Sequence, residues 1–446
     1  MSTEPSAAPE RSLTVWHAAA LAMGMVIGAG IFRSSSNVAA AVPDVATFFL
    51  VWSAGGLFAL MGALCYAELA GAFPSTGGDY GFLRAAYGRS VAFLFAWSRF
   101  AIVFTGSTAL LGFVLSDYVA KLIPVGPVGQ VGIAAGAIVG LTGLNLIGVR
   151  VGATVQVVLV VLDAIALMLL GLAGVLAGGH APLAHSTAAA PGGGIAVAAV
   201  FIMLAYGGWN DAATLSTELR GGPRAMVKAL VGGMSAVTIL YLVANWGYWR
   251  GLGLAGLAAS KAPAADLMGH AFGPTGETLI VALVALTTLA CMNALIIVGG
   301  RTLYATASDF ALLAAFGRWD VRRGTPRAAM LAQSAFAILL VGYGAWTRTG
   351  FETMVNFLAP VFWLFQTLSG VSLFVLRQTR KDAPRPFRLP LYPVPAIAFS
   401  ASSAYVFVST VAYVGWRGVL VSFSVLGVGA LALIAMPASA RPATRS

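Results

Sequence analysis

Charge and cysteine are both scarce in this sequence, and each scarcity argues against a class of protein. Only 9% of the 446 residues are charged and 59% are hydrophobic, whereas about a quarter of a soluble domain is charged. The chain is therefore not a water-soluble globular protein. Its two cysteines, Cys65 and Cys291, both lie inside apolar runs. This placement argues against a disulfide framework and predicts two small buried hydrophobic side chains.

The motifs of several enzyme chemistries are missing as well. The sequence has no phosphate-cradling P-loop, which argues against transport driven by ATP, and no Gly-x-Ser-x-Gly nucleophile elbow. The four histidines show no metal-ligand spacing with cysteines or acids: His17, His180, His185 and His270. We therefore expect no enzymatic activity, no structural or catalytic metal and no cofactor beyond a coupling ion.

Apolar runs of membrane-spanning length recur from one end of the chain to the other. A helix needs about 20 residues to cross a bilayer, so these runs predict an all-α integral membrane protein with twelve transmembrane helices. The predicted spans are 13–41, 46–72, 85–118, 125–147, 151–178, 192–219, 225–250, 274–307, 326–346, 350–378, 391–415 and 417–436.

Positive charge separates strongly between the two faces of this topology. The termini and the even-numbered loops hold 19 Lys and Arg residues, the odd-numbered loops hold 6, and Arg99 lies inside the third span. Because basic loops stay in the cytoplasm, we expect a multi-pass protein of the cytoplasmic membrane with both termini cytoplasmic. The net charge of +11 then reflects topology, and the expected partner is a lipid bilayer and not nucleic acid.

Glycines interrupt two of the predicted spans near their middles. The first interruption is Met23–Phe32, with the sequence MGMVIGAGIF, and the second is Ala205–Asn210, with the sequence AYGGWN. Glycine allows a helix to unwind, and the released N–H and C=O groups need a buried polar cavity because lipid cannot satisfy them. Interrupted helices at corresponding points of two halves are typical of a transporter's substrate site.

The matching interruptions favour two copies of one five-helix unit in opposite orientations. We predict a first inverted repeat over residues 13–178, a second over 192–378, and two added helices over 391–436. Short polar tails, 1–12 and 437–446, flank them and are expected to be cytoplasmic.

Five strings, taken in order, resemble the amino acid–polyamine–organocation (APC) superfamily, most closely its L-type amino acid transporter branch. The first is GAGIF at Gly28–Phe32, and the most specific is CYAELAGAFPSTGGDY at Cys65–Tyr80. The others lie at Ala205–Asn210, Arg301–Tyr304 and Arg385–Pro393. Together they cover nearly the whole chain.

The resemblance implies a five-plus-five inverted-repeat core, the LeuT-like fold, with discontinuous helices 1 and 6. It implies alternating-access transport of amino acids or related amines, through a site between spans 1, 3, 6, 8 and 10. It maps a bulky gating position onto Leu204, where relatives often carry an aromatic side chain. Animal members join a single-span heavy chain through a cysteine between spans 3 and 4. Residues 117–130 contain none, so no heavy-chain partner is expected.

Each helix break suits one end of a zwitterionic amino acid. The helix that restarts after the first break presents free N–H groups and its positive dipole end, which favour the α-carboxylate. Carbonyls that are unwound before Gly207 suit the α-ammonium group. The predicted substrate-binding residues are Ile27, Gly28, Ala29, Gly30, Ile31, Leu204, Ala205, Tyr206, Gly207 and Asn210. The alternative for the glycines is close helix packing.

Other polar and aromatic residues are weaker candidates. Tyr206 and Trp209 would wall the pocket, and the further wall candidates are Thr105, Ser107 and Asn293. Ordinary interhelical packing or hydrogen bonding is the alternative for each of them. Glu68 and Arg84 flank the loop after the second span and are expected to form an ion pair or gate. Arg99 is expected to snorkel or pair with an acid.

Asp163 is the strongest single candidate for ion coupling. It lies 13 residues beyond Arg150, which at 1.5 Å per residue is roughly 20 Å along the helix, near the membrane middle. A carboxylate there costs about 2.5–3.5 kcal/mol, so an unused one is not expected. L-type relatives often carry lysine at the corresponding position, so the charge is reversed here.

Three roles stay open for Asp163. It could ligate Na⁺ with the carbonyls from Val26 to Ala29 and the hydroxyls of Thr287 or Thr288. It could instead bind and release a proton, or simply accept a structural hydrogen bond. The predicted coupling set is Asp163, Val26, Thr287 and Thr288.

The favoured function is a secondary active transporter, a symporter or exchanger, of small or medium neutral L-amino acids. Cationic side chains are disfavoured because the pocket near Leu204, Ala205 and Asn210 contains no acid. The alternative is an amine or polyamine carrier of the same fold, which the carboxylate-binding helix end disfavours. A channel would need a selectivity filter or charge ring. A membrane enzyme would need clustered ionisable residues, and only Asp163 and Arg99 are expected to be buried charges.

Overall fold

The computed structural model describes residues 13–123, 125–177, 194–260, 262–307, 309–347 and 350–435. Within these ranges the fold is entirely helical apart from two isolated β-bridges. The two predicted tails lie outside the described residues. His180 and His185, between the fifth and sixth spans, lie outside them as well.

The helices follow one another along the chain with short connections. The α-helices are α1 Val15–Val26, α2 Ala29–Ala41, α3 Val45–Ala72, α4 Asp79–Tyr87, α5 Arg89–Ser98, α6 Thr105–Leu122, α7 Pro127–Ile147, α8 Val149–Ala177, α9 Gly194–Ala205, α10 Gly222–Ala259, α11 Pro263–Ala307, α12 Arg327–Thr347, α13 Gly350–Thr379 and α14 Val394–Ala435. A π-helical segment, Arg99–Phe104, joins α5 to α6, and 3₁₀ segments cover Trp209–Leu215 and Ala311–Phe316.

The predicted twelve-span topology is confirmed in the described part of the chain. Eleven segments are long and apolar enough to cross a membrane, and Gly418–Ile434 is a shorter apolar helix. The last two spans form one continuous helix, α14, which bends at Gly415 where φ is +74°. Similar bends at Gly253 and Gly273 separate spans 7 and 8 from short helices at their ends. Glycine suits these positions because other residues rarely adopt a positive φ.

Helix α8 shows how the sequence pattern orients a span. Its exposed large side chains recur at helical spacing along one face: Val158, Val161, Ile165, Met168 and Leu172. This spacing produces a continuous apolar stripe, which suits contact with lipid. The opposite face packs against α10 and α11 and carries the buried side chains of Gln156 and Asp163. The same pattern that makes α8 a span therefore turns its one acid toward the protein interior.

The two ends of the bundle differ in their loops. The end of the bundle at which α1 begins and at which α3 and α13 end is called the basic end. The opposite end is called the far end. A backbone pairing closes part of the basic end, because Leu13 N–H donates to the Glu218 carbonyl at 3.1 Å and Arg220 N–H donates to Leu13 at 2.8 Å. The start of the first span is thereby held against the end of the sixth.

Candidate functional site

The first span is interrupted between α1 and α2. Ile27 and Gly28 have non-helical backbones, with ψ of +79° and −157° respectively. The helix restarts at Ala29, and no side chain caps its first turn. Uncapped N–H groups and the positive end of the α2 dipole are therefore presented at the break, an arrangement that attracts anionic groups.

The sixth span is interrupted after α9. Tyr206 N–H still donates to Ile202 at 2.9 Å, but Gly207 N–H reaches Leu204 at 3.3 Å, a tighter turn. Gly208 then adopts the left-handed conformation, with φ of +105°, and the chain continues as a 3₁₀ helix. Glycine is required at this position because a Cβ on Gly208 would lie 2.8 Å from the Met25 carbonyl oxygen.

The two breaks touch each other. A Cβ added to Gly30 would lie 3.1 Å from Cα of Ala205, so the restarting helix of the first span rests against the end of α9. Tyr241 of α10 joins the breaks from behind, because its hydroxyl lies 2.8 Å from the Val26 carbonyl oxygen and 3.1 Å from that of Ala205. The discontinuous helices 1 and 6, which the sequence predicted, are confirmed.

A cavity of about 390 Å³ lies on the two breaks. This volume lies in the range of sites for small organic ligands. The lining comprises Met25, Val26, Gly28, Gly30, Ser34, Asn37, Arg99, Val103, Ser107, Leu110, Leu111, Phe201, Leu204, Gly207, Gly208, Asp211, Cys291, Leu295, Leu358, Ala359, Phe362, Trp363 and Tyr413. Spans 1, 3, 6, 8 and 10 all contribute, with Tyr413 from span 11. The cavity extends from the breaks toward the far end, where Asn37 and Tyr413 lie.

Half of the predicted substrate residues fall away from this cavity. Gly28, Gly30, Leu204 and Gly207 line it, and so does the wall candidate Ser107. The side chain of Ala29 lies outside the described residues. Other members of the predicted set are buried without lining the cavity: Ile27, Ile31, Ala205, Tyr206 and Asn210. Their direct contact with a substrate stays a prediction.

The aromatic residues after α9 pack into the protein core. The Tyr206 ring lies 5.8 Å from Trp52 and 5.1 Å from Tyr241, measured between ring centroids. Trp209 lies 5.1 Å from Tyr66. Neither Tyr206 nor Trp209 lines the cavity, so their expected wall role gives way to the packing alternative. The bulky walls come from Phe362 and Trp363 of α13 instead, which sequence spacing alone did not single out.

The remaining polar wall candidates form hydrogen bonds inside the bundle. Thr105 donates to the Phe100 carbonyl at 2.8 Å within the third span. Asn293 joins spans 4, 5 and 8, since it accepts from Asn145 at 2.7 Å and donates to Gln156 at 2.8 Å. Asn293 therefore connects helices, whereas Thr105 bonds within its own span, and neither lines the cavity.

A charged network forms the floor of the cavity. Arg99 forms an ion pair with Asp211, both sides being almost fully buried. Asp211 also accepts from Asn210 at 3.2 Å, and Asn210 donates to Asp79 at 3.1 Å. The expected pairing of Arg99 with an acid is confirmed. Two expectations were wrong: the pocket does contain an acid, Asp211, and Asp163 and Arg99 are not the only buried charges.

Asp79 links this floor to the basic end. It is the first residue of α4, which lies between the second and third spans, and its side chain is buried. Burial raises the pKa of Asp79 to about 6, and the nearby Arg99 guanidinium partly opposes that rise. A carboxyl with this pKa changes its charge within the physiological pH range.

Asp163 is buried on α8 outside the cavity lining, near Tyr241 and Cys291, which bind carbonyls at the end of α1. Its carboxylate is inaccessible to solvent, and neither oxygen has a hydrogen-bond partner among the described residues. The Thr287 side chain lies next to it, although the Thr287 hydroxyl donates to Leu283 at 3.0 Å. Tyr241 and Cys291 lie within its electrostatic reach, and Cys291 also lines the cavity. The third alternative, a structural hydrogen bond with Thr287 as its donor, stays a prediction.

The groups predicted to hold an ion together with Asp163 all offer oxygen ligands. The Thr288 hydroxyl donates to Val284 at 2.8 Å, which leaves the lone pairs of its oxygen available, as for Thr287. The Val26 carbonyl accepts from Tyr241 and keeps a second lone pair. Oxygen ligands suit a hard cation such as Na⁺, and an unpartnered carboxylate suits a proton equally well. No cluster of three metal-ligating His, Cys, Asp or Glu residues occurs among the described residues.

Buried ion pairs close the basic end. Glu68, at the end of α3, accepts from Arg377 at 2.9 and 2.6 Å and from Leu389 N–H at 2.6 Å, with Arg385 3.4 Å away. This carboxylate ties the second span to the loop between spans 10 and 11. Arg377 also lies 3.7 Å from the centre of the Tyr392 ring.

Two further contacts complete the closure. Arg301 of α11 binds Glu218 with two hydrogen bonds of 2.6 and 3.0 Å. Arg84 of α4 pairs with Asp309 at 2.7 Å, and the Tyr80 hydroxyl also donates to Asp309. Of the two roles expected for Glu68 and Arg84, an ion pair between them is not formed, because each pairs with a residue from a later part of the chain. Their role in a gate stays a prediction.

An all-helical membrane bundle with two interrupted helices around a central cavity is the architecture of a membrane transporter, not of an enzyme. The chain belongs to the amino acid permease family, whose model matches residues 13–432. This confirms the resemblance to the APC superfamily.

Relatives of known function and a solved structure agree with this assignment. The chain is 28% identical over 404 residues to the b(0,+)-type amino acid transporter 1 of Mus musculus, covering 89% of this chain and 82% of the relative. It is 28% identical over 398 residues to the human large neutral amino acids transporter small subunit 2, covering 86% and 73%. The structure of Mhp1, a nucleobase-cation-symport-1 family transporter in a closed conformation with bromovinylhydantoin bound, matches with a TM-score of 0.54 at 16% identity, over 94% of this chain and 99% of that one. This last likeness concerns the fold alone.

Proposed function

We propose that the chain carries small or medium neutral L-amino acids across the cytoplasmic membrane by alternating access, as a symporter or exchanger. The observation that carries this proposal is the meeting of two uncapped helix breaks at one cavity of about 390 Å³. Free N–H groups at the start of α2 suit the α-carboxylate, and carbonyls at the end of α9 suit the α-ammonium group. The similarity to a b(0,+)-type amino acid transporter and to a large neutral amino acids transporter supports an amino acid as the substrate.

The apolar walls favour neutral side chains of modest size. Leu110, Leu111, Leu358 and Phe362 face the cavity, and burial of apolar surface stabilises a bound aliphatic side chain by about 25 cal/mol per Å². An amine without a carboxylate would leave the α2 N–H groups unpaired, which weighs against the amine or polyamine alternative.

The conformation described here faces the far end. The cavity reaches Asn37 and Tyr413 there, while the Glu68, Glu218 and Asp309 ion pairs close the opposite end. With both termini in the cytoplasm, as the basic loops favour, this is an outward-facing state. Transport then requires these ion pairs to separate as the basic end opens.

Asp163 supplies the proposed coupling site. An unpartnered buried carboxylate is costly, and it lies behind the first break, beside Thr287 and near Cys291 of the cavity wall. Binding of a proton or a Na⁺ ion there would remove that cost and brace the break from behind. Asp163 and the oxygens of Val26, Thr287 and Thr288 would hold the ion. We also expect no heavy-chain partner, since residues 117–130 lack the cysteine through which animal members of the family join one.

Uptake into proteoliposomes tests the proposal. Purified protein should show saturable counterflow of labelled neutral amino acids, while matched amines should neither compete nor exchange. Non-saturable flux would indicate a pore, and counterflow of amines alone would indicate the amine carrier. Imposed Na⁺ or pH gradients identify the coupling ion.

Asp163→Asn isolates the coupling role. The variant should retain substrate binding but lose gradient-driven accumulation, because asparagine can neither carry the proton nor balance the charge of Na⁺. Unchanged accumulation in vesicles would remove Asp163 from the mechanism. Asp44→Asn is the control, since Asp44 is an exposed helix cap that accepts from Thr47 at 2.8 Å.

A further inference from the structure

Among the described residues, only two charged side chains line the cavity. Arg99 and Asp211 contribute opposite charges, and every other lining residue is apolar, glycine or uncharged at neutral pH. Arg99 comes from the third span and Asp211 from the segment after the second helix break. Both residues therefore lie in the wall of the cavity, where the side chain of a substrate bound at the breaks would be close to them.

Aromatic rings enclose the guanidinium of Arg99. Its Cζ atom lies 4.5 Å from the centre of the Phe104 ring, 5.3 Å from that of Phe95 and 5.6 Å from that of Phe362. Side-chain exposure is 4% for Arg99 and 6% for Asp211. Water screens the two charges very little in such surroundings, so each acts on a neighbouring charge more strongly than a surface group does.

The ion pair of Arg99 and Asp211 presents one charge of each sign to the cavity. Arg99 pairs with Asp211, while Arg99 Nε has no hydrogen-bond partner. The next acid, Asp79, does not line the main cavity. It lies behind Asn210, which donates to both acids. A side chain entering the cavity therefore meets one positive and one negative charge in the lining, with the Asp79 carboxyl near Arg99 outside the main cavity.

We infer that Arg99 and Asp211 together determine which side-chain charges the cavity accepts. This inference rests on the proposed function and adds specificity residues to it. A cationic side chain would lose its hydration and approach Arg99, and an acidic one would lose its hydration and approach Asp211. Neither gains a free counter-charge. Neutral side chains avoid both costs, so selectivity follows from the balance of the pair and not from an absence of charge.

Removing one member of the pair should shift selectivity in a direction set by the member that stays. Arg99→Met leaves Asp211 unbalanced, and binding of lysine relative to norleucine should rise roughly tenfold or more. Asp211→Asn leaves Arg99 unbalanced, and binding of glutamate relative to glutamine should rise to a similar extent. Competition against a labelled neutral amino acid on purified protein measures both ratios. A merely structural role would weaken all ligands together and leave both ratios unchanged.

A matched control comes from the pair of Arg301 and Glu218, which is equally buried but does not line the cavity. Glu218→Gln should change the amount of folded protein without changing either binding ratio. A charge-swapped variant, Arg99→Asp with Asp211→Arg, keeps the balance and should keep the neutral preference even where the single variants fold poorly.

The outcomes separate the two proposals. If the wild-type protein binds neutral amino acids but both single variants keep its ratios within about twofold, the selectivity role is overturned. The same holds if the charge-swapped variant binds lysine or glutamate as well as norleucine or glutamine. If the wild-type protein binds no amino acid at all, the proposed function fails instead.

Discussion

The two halves of this bundle are held together by different chemistry. The half toward the far end surrounds a cavity with apolar side chains and with the backbone of two glycine-broken helices. The basic half is closed by buried carboxylates, since Glu68 and Glu218 are each 1% exposed and each binds arginine. Arg99 and Asp211 mark the boundary between the two halves.

This difference separates recognition from gating. Unpaired N–H and C=O groups can bind a ligand and release it without unfolding anything. A buried ion pair, in contrast, joins distant segments, and each charge is costly if it stays buried after its partner has moved away. Glu68, for example, connects α3 to residues more than 300 positions later in the chain. We therefore propose that the half with the open cavity recognises the substrate and that the basic half controls the conformation.

Blocking the contact between the breaks should have the largest effect. In Gly30→Leu the new side chain would push against Ala205, because a Cβ there already lies 3.1 Å from the Ala205 Cα. We expect substrate affinity to fall by roughly a hundredfold or more, measured by scintillation proximity. Gly136→Leu in the fourth span is the control, since no atom lies within 4 Å of its added Cβ. Normal affinity of Gly30→Leu would show that the breaks do not form the site.

Weakening the closure of the basic half should have an intermediate effect. Glu68→Gln keeps the shape of the side chain but leaves Arg377 and Arg385 without their counter-charge. Removing one partner of a buried pair costs about 3–5 kcal/mol, so thermal stability in detergent should fall. Cysteines introduced at the basic end should become more reactive to membrane-impermeant reagents.

The control for this variant is an exposed pair at the same end. Asp320→Asn affects a contact of 3.6 Å between Asp320 and Arg327, whose side chains are 24% and 48% exposed, so a loss below about 1 kcal/mol is expected. Equal effects of the two substitutions would mean that burial of Glu68 does not secure the closed end.

The smallest effect should be a pH dependence that comes from Asp79. Burial raises its pKa from the model-peptide value of 3.8 to about 6 in the folded protein, so the folded state holds a proton that the unfolded chain releases. This contribution to stability is complete below about pH 4 and is lost as the pH rises through about 6, by on the order of 3 kcal/mol. Asp79→Asn should flatten the pH dependence of thermal stability between about pH 4 and 6. An unchanged pH profile would show that Asp79 does not titrate there.

Spans and breaks could be predicted because their causes are local. Hydropathy fixes a span from its own 20 residues, and glycines at Gly28, Gly30, Gly207 and Gly208 signal an interruption without knowledge of any partner. The charge asymmetry of the loops fixed which helix ends belong together. The buried position of Asp163 followed from its depth along one uninterrupted helix.

Pairings between distant residues could not be predicted in this way. Arg99 and Asp211 are separated by 112 positions, and Tyr241 reaches carbonyls of two different spans. One signal was present: Asp211 follows directly after the glycine-broken string of the sixth span, so two opposite charges were available inside the membrane. Pairing these two charges would have predicted the ion pair that forms the floor of the cavity. The contacts of Tyr206 and Asn210 depend on helix rotation around the break, which sequence spacing does not determine.

The most direct test of the central claim compares three ligands that share one side chain. Purified protein should bind leucine, while leucine methyl ester, which lacks the carboxylate, and isopentylamine, which lacks the carboxyl group altogether, should bind at least roughly tenfold more weakly in the same competition assay. That result would show that the uncapped helix start recognises the carboxylate. Equal binding of all three ligands would contradict the account.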